Sequence, residues 1–215
     1  IAAMEAKSNV NTFLEQGGAA FQAGDWAGVI DAYESALELD PAIDDPRVRE
    51  QLIQAYINEI GRTVEDQNAS LEAVEQAEGY YSRAVALIPQ GGNFSAQREQ
   101  LENLDDQIKE LKYIRMASDI FADPFQTVRM INSAVSYLRQ AANLNPQNAG
   151  LQGNLQNAEA YRDGFQSFVA MNWDPAIQNF NLILSSESGF LQGQARILLY
   201  ESYYGLGKQY ASTGQ

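Results

Sequence analysis

The stretch Phe13-Leu14-Glu15-Gln16-Gly17, Phe21, Gly24-Asp25-Trp26, Ile30, Tyr33, Ala36-Leu37, Leu39-Asp40-Pro41 decides how this chain folds. Gly17 falls inside a helical pattern, where glycine costs stability. Its use there makes sense if a bulky side chain of the next helix must approach closely. Gly24-Asp25 ends the first helix: glycine supplies the left-handed stop and aspartate caps the second helix. Trp26, Ile30, Tyr33 and Leu37 then recur at helical spacing and give the second helix one apolar stripe. Ala36 is small where two helices must come close. Asp40-Pro41 closes the unit, because proline cannot continue a helix and biases its predecessor away from the α region.

A helix pair of this size cannot bury its apolar face alone, so further copies are expected. Three appear, with the second helix of each best kept. Ala77, Tyr81, Ala84 and Pro89 match Val29, Tyr33, Ala36 and Pro41. Ala134, Leu138, Ala141 and Pro146 hold the same offsets. Gly164, Trp173, Ala176 and Phe180 match Gly17, Trp26, Val29 and Tyr33, with Ile183 in place of the alanine and Ser188 of the proline. A fifth copy opens as Leu206-Gly207, Tyr210, Gly214.

This order of residues resembles the tetratricopeptide repeat, a helix-turn-helix unit of about 34 residues. The resemblance implies an all-α, right-handed α-solenoid of antiparallel helix pairs, about nine helices in one domain over 1–215, with elongated helices in the middle units. The units run roughly 1–42, 43–90, 91–147 and 148–188, with a partial fifth over 189–215. The spacings from Pro41 to Pro89 and from Pro89 to Pro146 exceed the repeat length. The surplus falls around Gly61 to Ser70 and Ala117 to Pro124, where longer helices would absorb it. It reads either as drift in a tolerant turn or as an added docking surface.

Local signals place the helix ends. Asp45-Pro46 opens a helix to about Glu65, and Ser70 caps one through Leu87. Gly91-Gly92 breaks the chain, and Ser95 starts a long helix towards Phe121. Asp123-Pro124 opens the next, through Leu144. Further helices cover Ala149 to Met171, Asp174-Pro175 to about Leu184, and Phe190 to Ser212. No segment alternates as a strand does.

The chain has 215 residues, 45% of them hydrophobic, with no cysteine and no histidine. That excludes disulfides, thiolate chemistry and the usual zinc ligands, and removes the commonest general acid-base. A formal charge of −14 argues against nucleic acid and against anionic membrane surfaces. No apolar run approaches the roughly 18 residues of a membrane span. Scarce lysine and plentiful Asn and Gln are compatible with an extracytoplasmic domain. The chain begins at Ile1 and stops where a repeat would continue, which predicts a longer protein. A membrane anchor outside these residues and homo-oligomerisation are both compatible with the sequence.

No motif carries chemistry. Gly205-Leu206-Gly207-Lys208 lacks the first glycine of a phosphate loop at Ser202 and has Gln209 where a hydroxyl would bind magnesium. Asp44-Asp45 and Asp105-Asp106 lack the spacing of a calcium loop and read as a helix cap and a solvated face. The expectation is a non-enzyme without cofactor or metal that binds a protein or peptide.

The resemblance also implies which residues line a groove. With Gly164 in the place of Gly17, the stripe Tyr161, Phe165, Phe168 takes the phase of Leu14, Gly18 and Phe21, and in tetratricopeptide proteins that phase faces the concave side. Leu14, Phe21, Tyr161, Phe165 and Phe168 are therefore the candidate partner-binding residues. For the three aromatics, core packing, a ligand-facing patch and burial under further repeats all stay open. Members that clasp a chaperone's C-terminal carboxylate carry lysine and asparagine where this chain has Leu14 and Gly18, so that role is not implied, and the negative charge disfavours an acidic peptide. Such a role contrasts with a sensory or regulatory domain of a membrane-anchored signalling or envelope-assembly protein, the other class the sequence allows. Tyr200, Tyr203, Tyr204 and Tyr210 make a last helix rich in aromatics, as a surface awaiting a neighbour would be.

Overall fold

A computed structural model describes residues 2–89 and 94–214, with side chains from residue 8 onward. The Gly91-Gly92 break, and the terminal Ile1 and Gln215, lie outside the described residues. Among the described residues there are nine helices and no strand: α1 (Ala2–Ala23), α2 (Trp26–Leu39), α3 (Pro46–Glu65), α4 (Leu71–Leu87), α5 (Ser95–Ala122), α6 (Val128–Leu144), α7 (Ala149–Val169), α8 (Trp173–Leu184) and α9 (Gln192–Thr213). Contacts divide the chain into two compact units, Ile1–Ile108 and Lys109–Gln215, the division falling inside α5.

In the first unit α1 packs on α2, α2 on α3 and α3 on α4, and α1 also reaches α3. The core gathers one face of each helix: Ile30 and Tyr33 from α2, Leu52, Ile53, Tyr56 and Ile60 from α3, Val74 and Ala84 from α4, and Leu101 and Ile108 from α5. Each large side chain so buried stabilises the fold by roughly 1.5–3 kcal/mol. In the second unit α6 packs on α7, α7 on α8 and α8 on α9, and α7 also meets α9. Its core is one cluster built on Phe121, Ile131, Leu138, Tyr161, Phe180, Ile183 and Leu191.

Helix starts are where the capping residues put them. Asp25 accepts from the Gly28 N–H at 3.0 Å, Asp45 from Arg47 at 2.8 Å with Pro46 at the first position, and Ser70 from Ala73 at 3.2 Å. Two starts and one end differ from expectation. Asp123-Pro124 does not open α6: the Asp123 carboxylate accepts from the Phe125 N–H at 2.7 Å, closing a turn, and Thr127 caps the helix through the Met130 N–H at 3.2 Å. The helix through Gln166 stops at Val169, with Met171 in left-handed backbone at φ 59°. The last helix begins at Gln192 because Leu191 is also left-handed, at φ 62°, while its side chain is buried in the core. The surplus residues of the middle units do lengthen helices, α3 to 20 residues and α5 to 28.

Candidate functional site

Gly17 shows why the opening stretch is built as it is. A Cβ there would run into the ring of Tyr33, which lies on the bare glycine backbone. Gly164 bears the same relation to Phe180: a Cβ would stand 2.8 Å from the ring. Next to each sits an edge-to-face ring pair, Phe21 with Trp26 at 5.5 Å and 75°, Phe168 with Trp173 at 5.9 Å and 72°. The α1–α2 and α7–α8 pairs are thus two copies of one local geometry, held by residues at a constant offset. A second constant offset relates α3–α4 to α5–α6. Tyr56 meets Tyr80 at 5.5 Å and Tyr113 meets Tyr137 at 6.2 Å. Ser70 and Thr127 cap, and Asp66 turns back on the Asn68 N–H as Asp123 does on that of Phe125.

The expected groove residues fall into different environments. Tyr161 is a core residue, 3% exposed, against Phe121, Phe165 and Phe180, and its hydroxyl donates to Gln126 Oε1 at 2.8 Å. Burial pushes its phenol up to about 12. Phe165 stacks on it at 6.1 Å, half-buried, and Phe168 is half-buried against Trp173. Leu14 and Phe21 are half-buried on α1, and Phe21 supports Trp26.

Trp26 in turn forms one wall of a groove of about 460 Å³ between α3 and the first half of α5. Ile57 and Leu104 give this groove an apolar floor; Asn58, Gln100, Asn103 and Gln107 surround it with amides. Gln100, Asn103 and Gln107 lie at i, i+3 and i+7, one face of α5. No hydrogen bond within the described residues engages those three. Asn58 uses its amide nitrogen on the Gln54 carbonyl at 2.9 Å, leaving its oxygen to accept. Arg62 at the rim pairs with Glu59 at 3.3 Å. Gly61 lines the groove, and a Cβ there would meet nothing within 4 Å. A glycine inside a helix with no neighbour requiring it keeps this wall low. The acidic side chain that lines the groove is Glu65, at the end of α3.

Two other hollows have several of their polar groups already engaged. A groove of about 960 Å³ runs along α7 and the end of α8. There Asn157 donates to the Ser188 and Phe190 carbonyls at 3.2 and 2.9 Å, and Asn154 accepts from the Ser188 hydroxyl at 2.7 Å. Glu159 pairs with Arg139 and Asp163 with Arg162, so these carboxylates are neutralised. A smaller hollow of about 430 Å³ sits over Tyr56, Glu34 and Arg83. The Tyr56 hydroxyl donates to Glu34, Arg83 forms an ion pair with the same carboxylate at 3.0 Å, and the Arg83 guanidinium lies 5.6 and 5.0 Å from the Tyr56 and Tyr80 rings. Burial, then the Glu34 hydrogen bond, raises the Tyr56 phenol, so it stays protonated and serves as a strut between α2, α3 and α4.

Among the described residues no group of three or more His, Cys, Asp or Glu is placed to hold a metal, and no helix is long and apolar enough to cross a membrane. No protein-family model, curated protein or solved structure matches the chain. Of the expected partner-binding residues, Phe21 touches a wall of this groove through Trp26, and none of the five lines it. The signal for its other wall was the amide spacing Gln100, Asn103, Gln107 on an otherwise charged helix.

Proposed function

We propose that this chain is a tetratricopeptide-type interaction domain that captures a neutral or basic extended peptide segment of a protein partner and performs no catalysis. The twin geometry of α1–α2 and α7–α8 supports the repeat class, and the contacts of α1 with α3 and of α7 with α9 support stacking of successive pairs, for which the resemblance implies a right-handed solenoid. The observation that carries the binding role is the amide-rimmed groove beside Trp26. A side-chain amide both donates and accepts, which suits the alternating N–H and C=O of an extended peptide without regard to its sequence. Trp26, Ile57 and Leu104 would take an apolar anchor residue, and the Glu65 carboxylate would favour lysine or arginine beside it.

The test is selection of peptides from a random library on the intact chain, followed by binding measurements on Gln100→Ala/Asn103→Ala/Gln107→Ala and on Gly61→Leu. Both variants replace residues that make no internal packing contact and improve helix propensity. The proposal expects selected peptides rich in basic and apolar residues, and binding weakened at least about thirtyfold by either change, the scale of a binding hot spot. Selected peptides that bind both variants as tightly as the parent chain would refute it.

A further inference from the structure

We infer that the outward face of α9 is the interface with a second copy of this chain. This helix carries large apolar or aromatic side chains on both sides. Its inner arc, Ala195, Leu198, Leu199, Ser202 and Leu206, turns to the second unit's core, and Gly205 lies under the Trp173 ring, 2.6 Å from where a Cβ would stand. The opposite arc carries Ile197, Tyr200, Tyr203, Tyr204 and Tyr210, all exposed, Tyr200 to 70%. Arg196 stands exposed on the same arc, so the face is aromatic rather than wholly apolar, and a cluster of rings of this extent left in water marks a contact surface.

Size and charge both fit a second copy. At about 200 Å² for a whole aromatic side chain, the exposed parts of the four tyrosines with Ile197 bring roughly 600 Å² per copy, most of the roughly 800 Å² per partner of a standard interface. Glu201 and Lys208 stand seven residues apart on one flank of this arc, and Lys208 lies over the Tyr204 ring at 4.4 Å. A twofold axis between Tyr204 and Gly205 runs the two helices antiparallel and sets each Glu201 opposite the other copy's Lys208. The same axis brings Tyr200 and Tyr204 of both copies to the centre. The face is therefore complementary to itself, whereas the chain as a whole, at −14, repels its own copies elsewhere.

Sedimentation equilibrium of the intact chain over the micromolar range tests this. A dimer is expected, weakened at least about thirtyfold by Tyr200→Asp/Tyr204→Asp, a change at the interface centre. Lys208→Glu and Glu201→Lys should each weaken self-association about fivefold, as loss of an ion pair and its replacement by repulsion does. Mixing these two single variants should restore it as a mixed dimer, a recovery that general loss of stability would not give. A chain that remains monomeric overturns the inference and leaves the face to a further segment or a different protein. A dimer indifferent to the tyrosine changes, or variants that fail to recover on mixing, overturn it as well. None of these outcomes bears on the α3–α5 groove, whose residues are all different.

Discussion

The α1–α2 and α7–α8 pairs share a skeleton and differ in how they finish it. Both lay an aromatic ring on a bare glycine and both close with a Phe–Trp edge contact. At the turn they part. The first pair has Gly24 at φ 72° and an Asp25 cap bonded to the Gly28 N–H. The second has Met171 at φ 59° and an Asn172 that makes no side-chain cap bond. Inside, they part again: Leu14 is half-buried, and its counterpart Tyr161 is in the core. Positions where backbones or rings must touch tolerate one solution. Turn and interior positions tolerate several, because a loss at one is offset by a gain at another. The second pair accepts a strained, poorly capped turn and fills its interior with rings.

The largest way to break the comparison is to empty that interior. Tyr161→Ala should cost about 4 kcal/mol, the usual cost of deleting a buried aromatic ring, and Leu14→Ala less than half as much. Urea titrations followed by circular dichroism give both; equal costs would mean the two pairs are filled alike. Next comes the shared skeleton. Gly17→Val should cost about 3 kcal/mol by forcing the Tyr33 ring off the α1 backbone. The cost should fall in a Tyr33→Leu background, and a cycle showing no coupling would remove the glycine–ring contact as the cause.

The turn offers a gain. Met171→Gly relieves left-handed strain at a position 70% exposed, so it should stabilise by about 1 kcal/mol, and Gly24→Met should cost as much. A destabilised Met171→Gly would show that the Met side chain holds the turn. The smallest effect is in pH. The Tyr161 phenol is raised in the folded state, so its contribution is complete below pH 10, where the unfolded phenol also keeps its proton. Between pH 10 and about 12 the unfolded chain loses that proton first and stability falls. Tyr161→Phe should lose about 1 kcal/mol at neutral pH, for the bond to Gln126, and should lessen the alkaline decline, to which the buried Tyr56 also contributes. An unchanged decline would assign it to other tyrosines.

Much of the fold was legible because its signals are local. Gly24-Asp25, Asp45-Pro46 and Ser70 are stop and start signals that act within one turn of helix, and each operates as expected. Gly17 predicted a bulky neighbour, and Tyr33 is that neighbour. Asp123-Pro124 misled because the same Asp side chain that caps a helix also closes a short turn, and Thr127, farther along the chain, competes for the cap. The left-handed Met171 and Leu191 gave no sign, since both residues ordinarily avoid that backbone. Tyr161 could have faced a groove or a core at the same phase of the helix; only the presence of Phe121 and Phe180 around it decides. The α3–α5 groove was invisible for a related reason. Its amides are ordinary one by one and become a surface only when two helices distant in sequence stand side by side.

The central claim is that the α3–α5 groove is where this chain meets its partner, and amide hydrogen exchange on the intact chain with a library-selected peptide tests it most directly. Added protection concentrated over residues 57–62 and 100–107, absent with Gln100→Ala/Asn103→Ala/Gln107→Ala, is the predicted result; protection confined to 149–188, or unchanged in that variant, would contradict it.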